Sequence, residues 1–575
     1  MKENNQVVEK IKLLIMEAAK RSAFKVSKEE ISIEHPQNRE FGDYACNVAM
    51  NLARKEKANP KEIATKIVEE IKKEKNDLIE KVEVAGAGFI NFYIKIEYLV
   101  KVAEDMNYES IFGDRLSEYG KGKKVVIDYS SPNIAKPFGI GHLRSTNIGQ
   151  ALYNLYKNLG WVTIGDNHLG DWGTQFGKLI VAIKKWADKD ISEMDISDLE
   201  KLYVKFHKEA KEDESLVEEG REWFSKLEKG DKEAKEIWQK CVDISMQEFD
   251  RVYQMLGVSI DFAHGESFYE EMLPSVIKEV EKKGLVKVSQ GAKVIEFKDM
   301  PVAMIEKSNG TTTYFTRDLA GIKYRMEEWN PDLFIYEVGA DQILHFRQLF
   351  ETAKMLGYEP SEGYHHVAHG LIRWKSGKFS TRKGDTIHLA DVVEAAKKEA
   401  EAIANKSKVI KEMGEVEKEE MIEAVAIGAI KYSDLQSDPK KDIIFDWEQI
   451  MSLEGDSGPY LQYAYARCRS ILEKSLLKEN SKWSYKKEMI GEDEVKMLRE
   501  LYRFEEKIVE AAERFSPSVL VEYLTSVARS FNEYYAKNKI IGSNVEELRL
   551  FVTQSTASVL SKGMAILGIK AIERM

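Results

Sequence analysis

Between Val125 and Ile164 the apolar positions switch from a continuous run to a 3.6-residue period and back. Val125 to Ile127 is β-rich and apolar; Ile148, Ala151, Leu152, Leu155, Tyr156 and Leu159 recur at helical spacing; Trp161 to Ile164 follows directly after Gly160, a residue suited to a helix C-terminus. This order predicts a βαβ unit of an open parallel sheet. Such sheets bind ligands at the carboxyl ends of their strands, where the stretch Asp128 to Gly149, DYSSPNIAKPFGIGHLRSTNIG, begins.

The flanking chain gives further elements. Before residue 110 the pattern predicts a helix over Asn5 to Arg21, a strand over Ile31 to Glu34 and a turn delivering Arg39-Glu-Phe-Gly-Asp-Tyr. A helix with Ala45, Val48, Ala49 and Leu52 on one face follows, then a helix near Lys61 to Lys72 and strands over Lys81 to Val84 and Phe89 to Ile94. Ile191 to Lys240 is charged and helical, an insertion in the sheet. The sheet resumes with a helix opened by Thr313 to Ala320, a strand over Leu333 to Val338 running into Gly339-Ala-Asp-Gln, and a strand over His366 to Leu371 before a basic, glycine-bracketed loop from Lys375. From Ser407 the chain turns helical, with Met421 to Leu435 apolar and, after Pro517, a stripe of Leu520, Leu524, Val527, Phe531 and Tyr534.

The fold expected is multidomain, α/β and all-α. A central Rossmann-like parallel-sheet domain spans 120–405 with an inserted helical region at about 185–300; a small N-terminal α/β domain spans 1–112 and a C-terminal helical bundle 406–575. With 43% hydrophobic and 32% charged residues the chain reads as soluble and globular, and no apolar run is long enough to cross a bilayer. The N-terminus is an amphipathic helix without a signal-peptide core, so a cytoplasmic location is expected. Cysteines 46, 241 and 468 are scattered, which supports neither a disulfide framework nor a zinc site. A net charge of −11 taken alone favours a small-molecule enzyme over a nucleic-acid binder, although a large acidic protein can still carry local basic grooves.

The chemistry of the Asp128 turn suits a nucleotide. Gly139 and Gly141 let a base or phosphate approach the backbone, the helix N-terminus offers unpaired N–H groups, and Lys136, His142 and Arg144 add donors. Near Thr313, four-residue spacing puts Tyr314 beside Asp318 on one helix face, a carboxylate and a π surface of the kind a guanidinium wants. The same pattern allows Asp318 to pair with Arg317 or Arg325 instead. Likewise His168 and Asp171, in the glycine- and aromatic-rich Gly165 to Gly177 loop, read either as site wall or as turn and cap residues.

The string SSPNIAKPFGIGHLRST resembles the first signature of the class I aminoacyl-tRNA synthetases in the form used by arginyl-tRNA synthetases, departing from its His-Ile-Gly-His element at Gly139. Lys378-Phe-Ser-Thr-Arg382 resembles the second signature, NHLGDWGTQ matches a family stretch, and FGDYACNVAMNLA and GAGFINFYI resemble the family's N-terminal domain. Gly458-Pro-Tyr-Leu-Gln-Tyr-Ala-Tyr-Ala-Arg467 resembles the start of its anticodon-binding helices.

The resemblance implies ATP-dependent activation of L-arginine to an adenylate and transfer to the terminal ribose of tRNA(Arg). ATP, with substrate-bound Mg2+, would be served by Lys136, Gly139, Gly141, His142, Lys378 and Arg382. Ser131, Pro132, Asn133, His142 and Gln342 would place the amino acid, and Tyr314 and Asp318 would read its guanidinium. Asp128, His168, Asp171 and Asp341 would wall the site; Arg39, Phe41, Tyr460, Tyr463 and Arg467 would touch tRNA, and the insertion would help hold the acceptor end. No metal held by protein ligands, no zinc and no membrane are implied, and a monomer whose first step needs tRNA is expected. A cysteine-specific adenylate former sharing the sheet, and a tRNA-binding paralogue without catalysis suggested by Gly139, are the alternatives.

Overall fold

The computed structural model describes residues 6–36, 38–374, 388–405, 413–475 and 487–575. They group into two compact units: Met1–Tyr119 with Ala464–Glu513 and Tyr523–Lys562, and Gly120–Tyr463 with Arg514–Glu522 and Gly563–Met575.

In the first unit an antiparallel sheet runs in the order Ile33–Glu34, Tyr44–Cys46, Phe89–Ile94, Ile79–Ala85. The helices Gln6–Arg21 and Pro60–Lys72 bury Ile11, Ile15, Ile63 and Ile67, and Asn59 starts the second by accepting from Lys61 N at 2.9 Å, with Pro60 in the first turn, where its missing N–H costs nothing. Ala45 was expected on a helix face but lies in the Tyr44–Cys46 strand; the helix begins at Val48. A three-residue strand buried on both faces has no alternation to betray it. The helix Ser518–Lys537, whose residues from Tyr523 on belong to this unit, buries its expected stripe, Leu520, Leu524, Val527, Phe531 and Tyr534.

The second unit is built on four parallel strands, β1 (Lys124–Asp128), β2 (Val162–Asp166), β3 (Leu333–Gly339) and β4 (Gly363–His369), in the order β4-β3-β1-β2. Helix α1 (Ile140–Asn158) joins β1 to β2 on one side, α2 (Tyr314–Trp329) leads into β3, and α3 (Ile343–Leu356) joins β3 to β4 on the other side. The direction of winding therefore reverses between β1 and β3, which opens a crevice at their carboxyl ends. Val125 to Ile127 and Leu333 to Ile335 are buried, as strands covered on both faces require. Gly149 lets α1 lie against the end of β1: a Cβ there would come within 2.3 Å of Tyr129 Cβ.

The insertion contains the helices Ile196–Glu209, Ser215–Glu228, Lys232–Leu256 and Leu273–Lys282. The expectation of a helical region at about 185–300 fails at its end, where Val286–Ser289 and Ala292–Ile295 pair with Ala303–Glu306 in an antiparallel sheet before α2. The helix Glu415–Leu435 packs in this unit, where Asp434 accepts from Arg144 and Asn147 of α1.

Candidate functional site

The turn after β1 is held in a conformation that free chain avoids. Ser130, Ser131 and Ala135 all have positive φ, at 75°, 46° and 63°. Three such non-glycine residues within six positions store strain that surrounding bonds must fix. Ser130 N donates to Ser145 Oγ at 2.9 Å, Ser131 N to Asn167 Oδ1 at 2.9 Å and Ala135 N to Ser245 Oγ at 2.9 Å. Gly170 N donates to Pro132 O at 3.1 Å, and the Asn133 side chain occupies the space where a Cβ on Gly170 would stand. Asn133 is exposed at the crevice, while the Ser131 hydroxyl donates to Asp128 Oδ1 at 3.2 Å.

Gly139 is the N-cap of α1 with φ −85°, a value any residue adopts, so its place in the signature is not a backbone requirement. His142 sits in the first turn against Phe138, and its buried Nδ1 has no hydrogen-bond partner among the described residues. Burial, and then the Lys136 charge, lower its pKa to about 4, so at neutral pH it is an uncharged imidazole. Lys136 is exposed, with Nζ 5.5 Å from the Tyr203 ring centroid. Arg144 departs from expectation. It is buried, with Nε 2.9 Å from Asp434 Oδ1 and Nη1 donating to Gly370 O and Lys441 O, so it ties α1 to its neighbours and offers nothing to a phosphate. Lys378 and Arg382 lie outside the described residues.

The other half of the crevice is organised by Asp318. Helix α2 begins at Tyr314, which places Tyr314 and Asp318 on one face one turn apart. Asp318 pairs with neither arginine that the sequence allowed. Arg317 Nε binds Glu270 Oε1 at 2.6 Å, and Arg325 binds Asp128 and Asp166 at 2.7 and 2.8 Å. Instead, Asp318 Oδ2 lies 2.6 Å from His345 Nε2 and Oδ1 lies 3.3 Å from His168 Nε2. The Tyr314 ring stands 4.9 Å from that of His345 and is 58% exposed. Burial opposes the carboxylate, but the bonds and charges of His168 and His345 outweigh it and hold Asp318 below the usual range. Burial likewise opposes a charge on His168, and the bond to Asp318, followed by the charges of Asp318 and Asp128, raises it to about 9.

Sequence reasoning assigned no role to His345 or Glu266. Glu266 lies 3.9 Å from Arg317 Nε; burial, with the charges of Asp318 and Asp171 adding to it against His168 and Arg317, raises it to about 7. No local pattern marks either residue, since a histidine in the first turn of α3 and a glutamate at the start of the 3-10 helix Glu266–Met272 become neighbours of Asp318 only through the tertiary fold. A groove of about 1390 Å3 opens beside Tyr314, lined among others by Phe224, Lys278, Met304, Tyr314, Arg317 and His345.

The remaining expected residues divide by accessibility. Asp128 is buried under Arg325, a support beneath the crevice. Asp171 neither caps the helix Thr174–Trp186, whose N-cap is Gly173, nor stands open: its oxygens accept from Ser267 N and Oγ at 2.9 and 2.5 Å. Asp341 is exposed and accepts from Gln342 Nε2 at 3.0 Å, both in the turn after β3. Arg39 and Phe41 belong to a single 3-10 turn, with Phe41 half exposed. Tyr460, Tyr463 and Arg467 share one face of the helix Gly458–Lys474, each partly exposed; Arg467 Nη1 donates to Asn532 and its guanidinium lies 5.3 Å from the Tyr535 ring.

Comparison with known proteins matches residues 110–447 to the family model "tRNA synthetases class I (R), catalytic domain", residues 9–94 to "Arginyl tRNA synthetase N terminal domain" and residues 461–575 to "DALR anticodon binding domain". The chain is 42% identical over 551 residues to the arginine–tRNA ligase of Halothermothrix orenii, covering 94% of this chain and 95% of that one. It is 39% identical over 574 residues to the arginine–tRNA ligase of Clostridioides difficile, covering 98% and 99%. Among solved structures, arginyl-tRNA synthetase from Plasmodium falciparum superposes over 100% of both chains with a TM-score of 0.83 at 25% identity.

Proposed function

The chain belongs to the class I arginyl-tRNA synthetases, and from that premise we propose how its crevice activates arginine and passes it to tRNA(Arg). The observation that carries the reading is Asp318, a depressed carboxylate held by His345 and His168, with Tyr314 one turn away on the same helix face. A guanidinium seated there gains two parallel N–H···O bonds and a π face, while a lysine ammonium lacks the planar fork and citrulline lacks the charge. Glu266 adds a second carboxyl on the Arg317 side.

Ser131, Pro132, Asn133 and Gln342 place the amino and carboxylate ends of arginine. The strained turn supports this role because its hydrogen bonds fix the backbone before substrate arrives, so the cost of ordering is met in folding. His142, Gly139, Gly141 and Lys136 at the N-terminus of α1 serve ATP, where unpaired N–H groups and the helix dipole favour the triphosphate. ATP enters as its magnesium complex; Lys378 and Arg382 complete the cationic surround as pyrophosphate leaves. The arginine carboxylate attacks the α-phosphorus, giving arginyl-adenylate and pyrophosphate, and a terminal ribose hydroxyl of tRNA then takes the acyl group and releases AMP. Positioning and charge stabilisation supply the acceleration, with no covalent enzyme intermediate.

His168, Asp171, Asp128 and Asp341 act as wall or support. Residues 1–112, with Arg39 and Phe41, and the C-terminal helices that carry Tyr460, Tyr463 and Arg467 bear tRNA, and the parallel-sheet unit, the Glu415–Leu435 helix included, carries the chemistry. No helix among the described residues is long and apolar enough to cross a membrane. The reading takes the protein as a cytoplasmic monomer. ATP–pyrophosphate exchange with each amino acid, run with and without bulk tRNA, tests it: exchange with arginine, appearing when tRNA is present, is expected. Absence of exchange alongside retained tRNA binding would mark a binding paralogue.

A further inference from the structure

The crevice contains a polar pair that no role above uses. His369 ends β4, in register with Gly339 at the end of β3. Its Nδ1 lies 2.9 Å from Glu337 Oε1, and because a carboxylate only accepts, Nδ1 carries the proton. Glu337 is completely buried, and its Oε2 has no hydrogen-bond partner among the described residues. The opposite ring edge of His369 faces Gly339: Nε2 lies 3.8 Å from where a Cβ on that glycine would stand. Helix α1 closes the back of the pair, with Ser145 Oγ donating to Glu337 O at 2.8 Å and Arg144 Nη1 to Gly370 O at 3.0 Å.

A buried carboxylate is costly unless a cation or donor answers it, and here the partner is an imidazole whose other edge faces Gly339 at the carboxyl end of β3. Burial opposes a charge on His369, but the charge and hydrogen bond of Glu337 outweigh it and raise the pKa. The other charged or titratable groups acting on the pair are Arg144 of α1, Asp434 of the Glu415–Leu435 helix and His366 on the same strand. With Nδ1–H committed to Glu337, Nε2 donates only when the ring is charged, so Glu337 sets both its orientation and its proton.

We propose that His369, oriented by Glu337, is a nucleotide-positioning residue whose Nε2–H donates to an acceptor on the adenosine half of ATP. This rests on the reading of the crevice as the ATP site. The triphosphate falls to the N-terminus of α1, whereas His369 stands beyond Gly339, on the side of β3 away from β1.

The test is arginine-dependent ATP–pyrophosphate exchange by the full chain with tRNA present, for the wild type, His369→Phe, His369→Gln and Glu337→Gln, with thermal melting of each. The phenylalanine variant should raise KM for ATP about ten- to hundredfold, the range for a hydrogen bond from a charged group, and leave KM for arginine within about twofold. The glutamine variant, whose amide still donates near the Nε2 position, should recover most of the loss. Glu337→Gln should shift the alkaline fall of kcat/KM for ATP to lower pH, because the contact exists below the His369 pKa and disappears as pH rises through it. With 2'-deoxy-ATP, a penalty that vanishes assigns the acceptor to the sugar and one that persists assigns it elsewhere on the adenosine; both support the proposal. A folded His369→Phe variant whose KM for ATP stays within about twofold of wild type overturns it. If that variant does not fold, an alkaline limb unmoved in Glu337→Gln overturns it. A wild-type chain without arginine-dependent exchange overturns instead the underlying reading, before any variant is compared.

Discussion

Asp318 and Arg325 stand seven residues apart on α2, and each is the centre of an ionic cluster. Arg325 is 2% exposed and saturated by two carboxylates, Asp128 at the end of β1 and Asp166 at the end of β2. Asp318 is 22% exposed and held by two histidines, one of them through a 3.3 Å contact. The chemistry is alike and the accessibility is not. A closed cluster fixes the strand ends, while an open one at the mouth of the crevice can exchange its imidazole partners for a cationic ligand. The difference comes from helix position. Asp318 lies in the second turn, near the mouth, whereas Arg325 is two turns deeper, where α2 covers the sheet.

The largest effect should come from breaking the closed cluster. Arg325→Met leaves two carboxylates buried without their cation and is expected to cost about 3–5 kcal/mol of stability, read as a shift of the urea midpoint. A midpoint unchanged from wild type would remove the distinction drawn here. Next, Asp318→Asn should lower the urea midpoint by less than Arg325→Met does but lower kcat/KM for arginine by roughly two to four orders of magnitude, because the variant forfeits the charged fork that the guanidinium needs. Equal losses of stability from both substitutions would mean that Asp318 is structural too.

A third effect is set by protons. His168 is charged up to about pH 9 while it faces Asp318, and an arriving guanidinium takes its place as counter-ion. Arginine binding should therefore release a fraction of a proton near neutral pH, and affinity should rise as pH climbs toward 9. Calorimetry in buffers of different ionisation enthalpy measures this directly; net proton uptake would contradict it. In the free protein the signs are separate. The part of stability owed to His168 is complete below its unfolded value of about 6.5 and is lost as pH rises through about 9. The part owed to Asp318 is present above about 3.9 and is lost as pH falls through its depressed folded value. The smallest effect belongs to Tyr314, whose ring is more than half exposed. Tyr314→Ala should raise KM for arginine only about three- to fivefold, consistent with an exposed cation–π contact of 0.5–1 kcal/mol.

Much of this was legible along the chain because periodicity reports one-sided burial. The β1–α1–β2 unit, the start of α2 at Tyr314 and the buried stripe from Leu520 to Tyr534 all follow from spacing. What misled was burial without alternation. The Tyr44–Cys46 strand carries no period, and Arg144 reads as a phosphate ligand until the Glu415–Leu435 helix supplies Asp434. Asp171 likewise looks like a cap until Ser267 claims both its oxygens.

The sequence by itself determined the order of elements, the position of the signature turn and the placing of Tyr314 and Asp318 on one helix face, since each depends on residues within a few positions of one another. Only the tertiary structure decided which charges face which. His345 and Glu266 meet around Asp318, and His369 meets Glu337, although the elements that carry them are far apart along the chain and no local pattern connects them. Whether an arginine on a helix meets a phosphate or a buried aspartate depends on what packs over it, and that is settled by chain almost three hundred residues away, from Arg144 to Asp434.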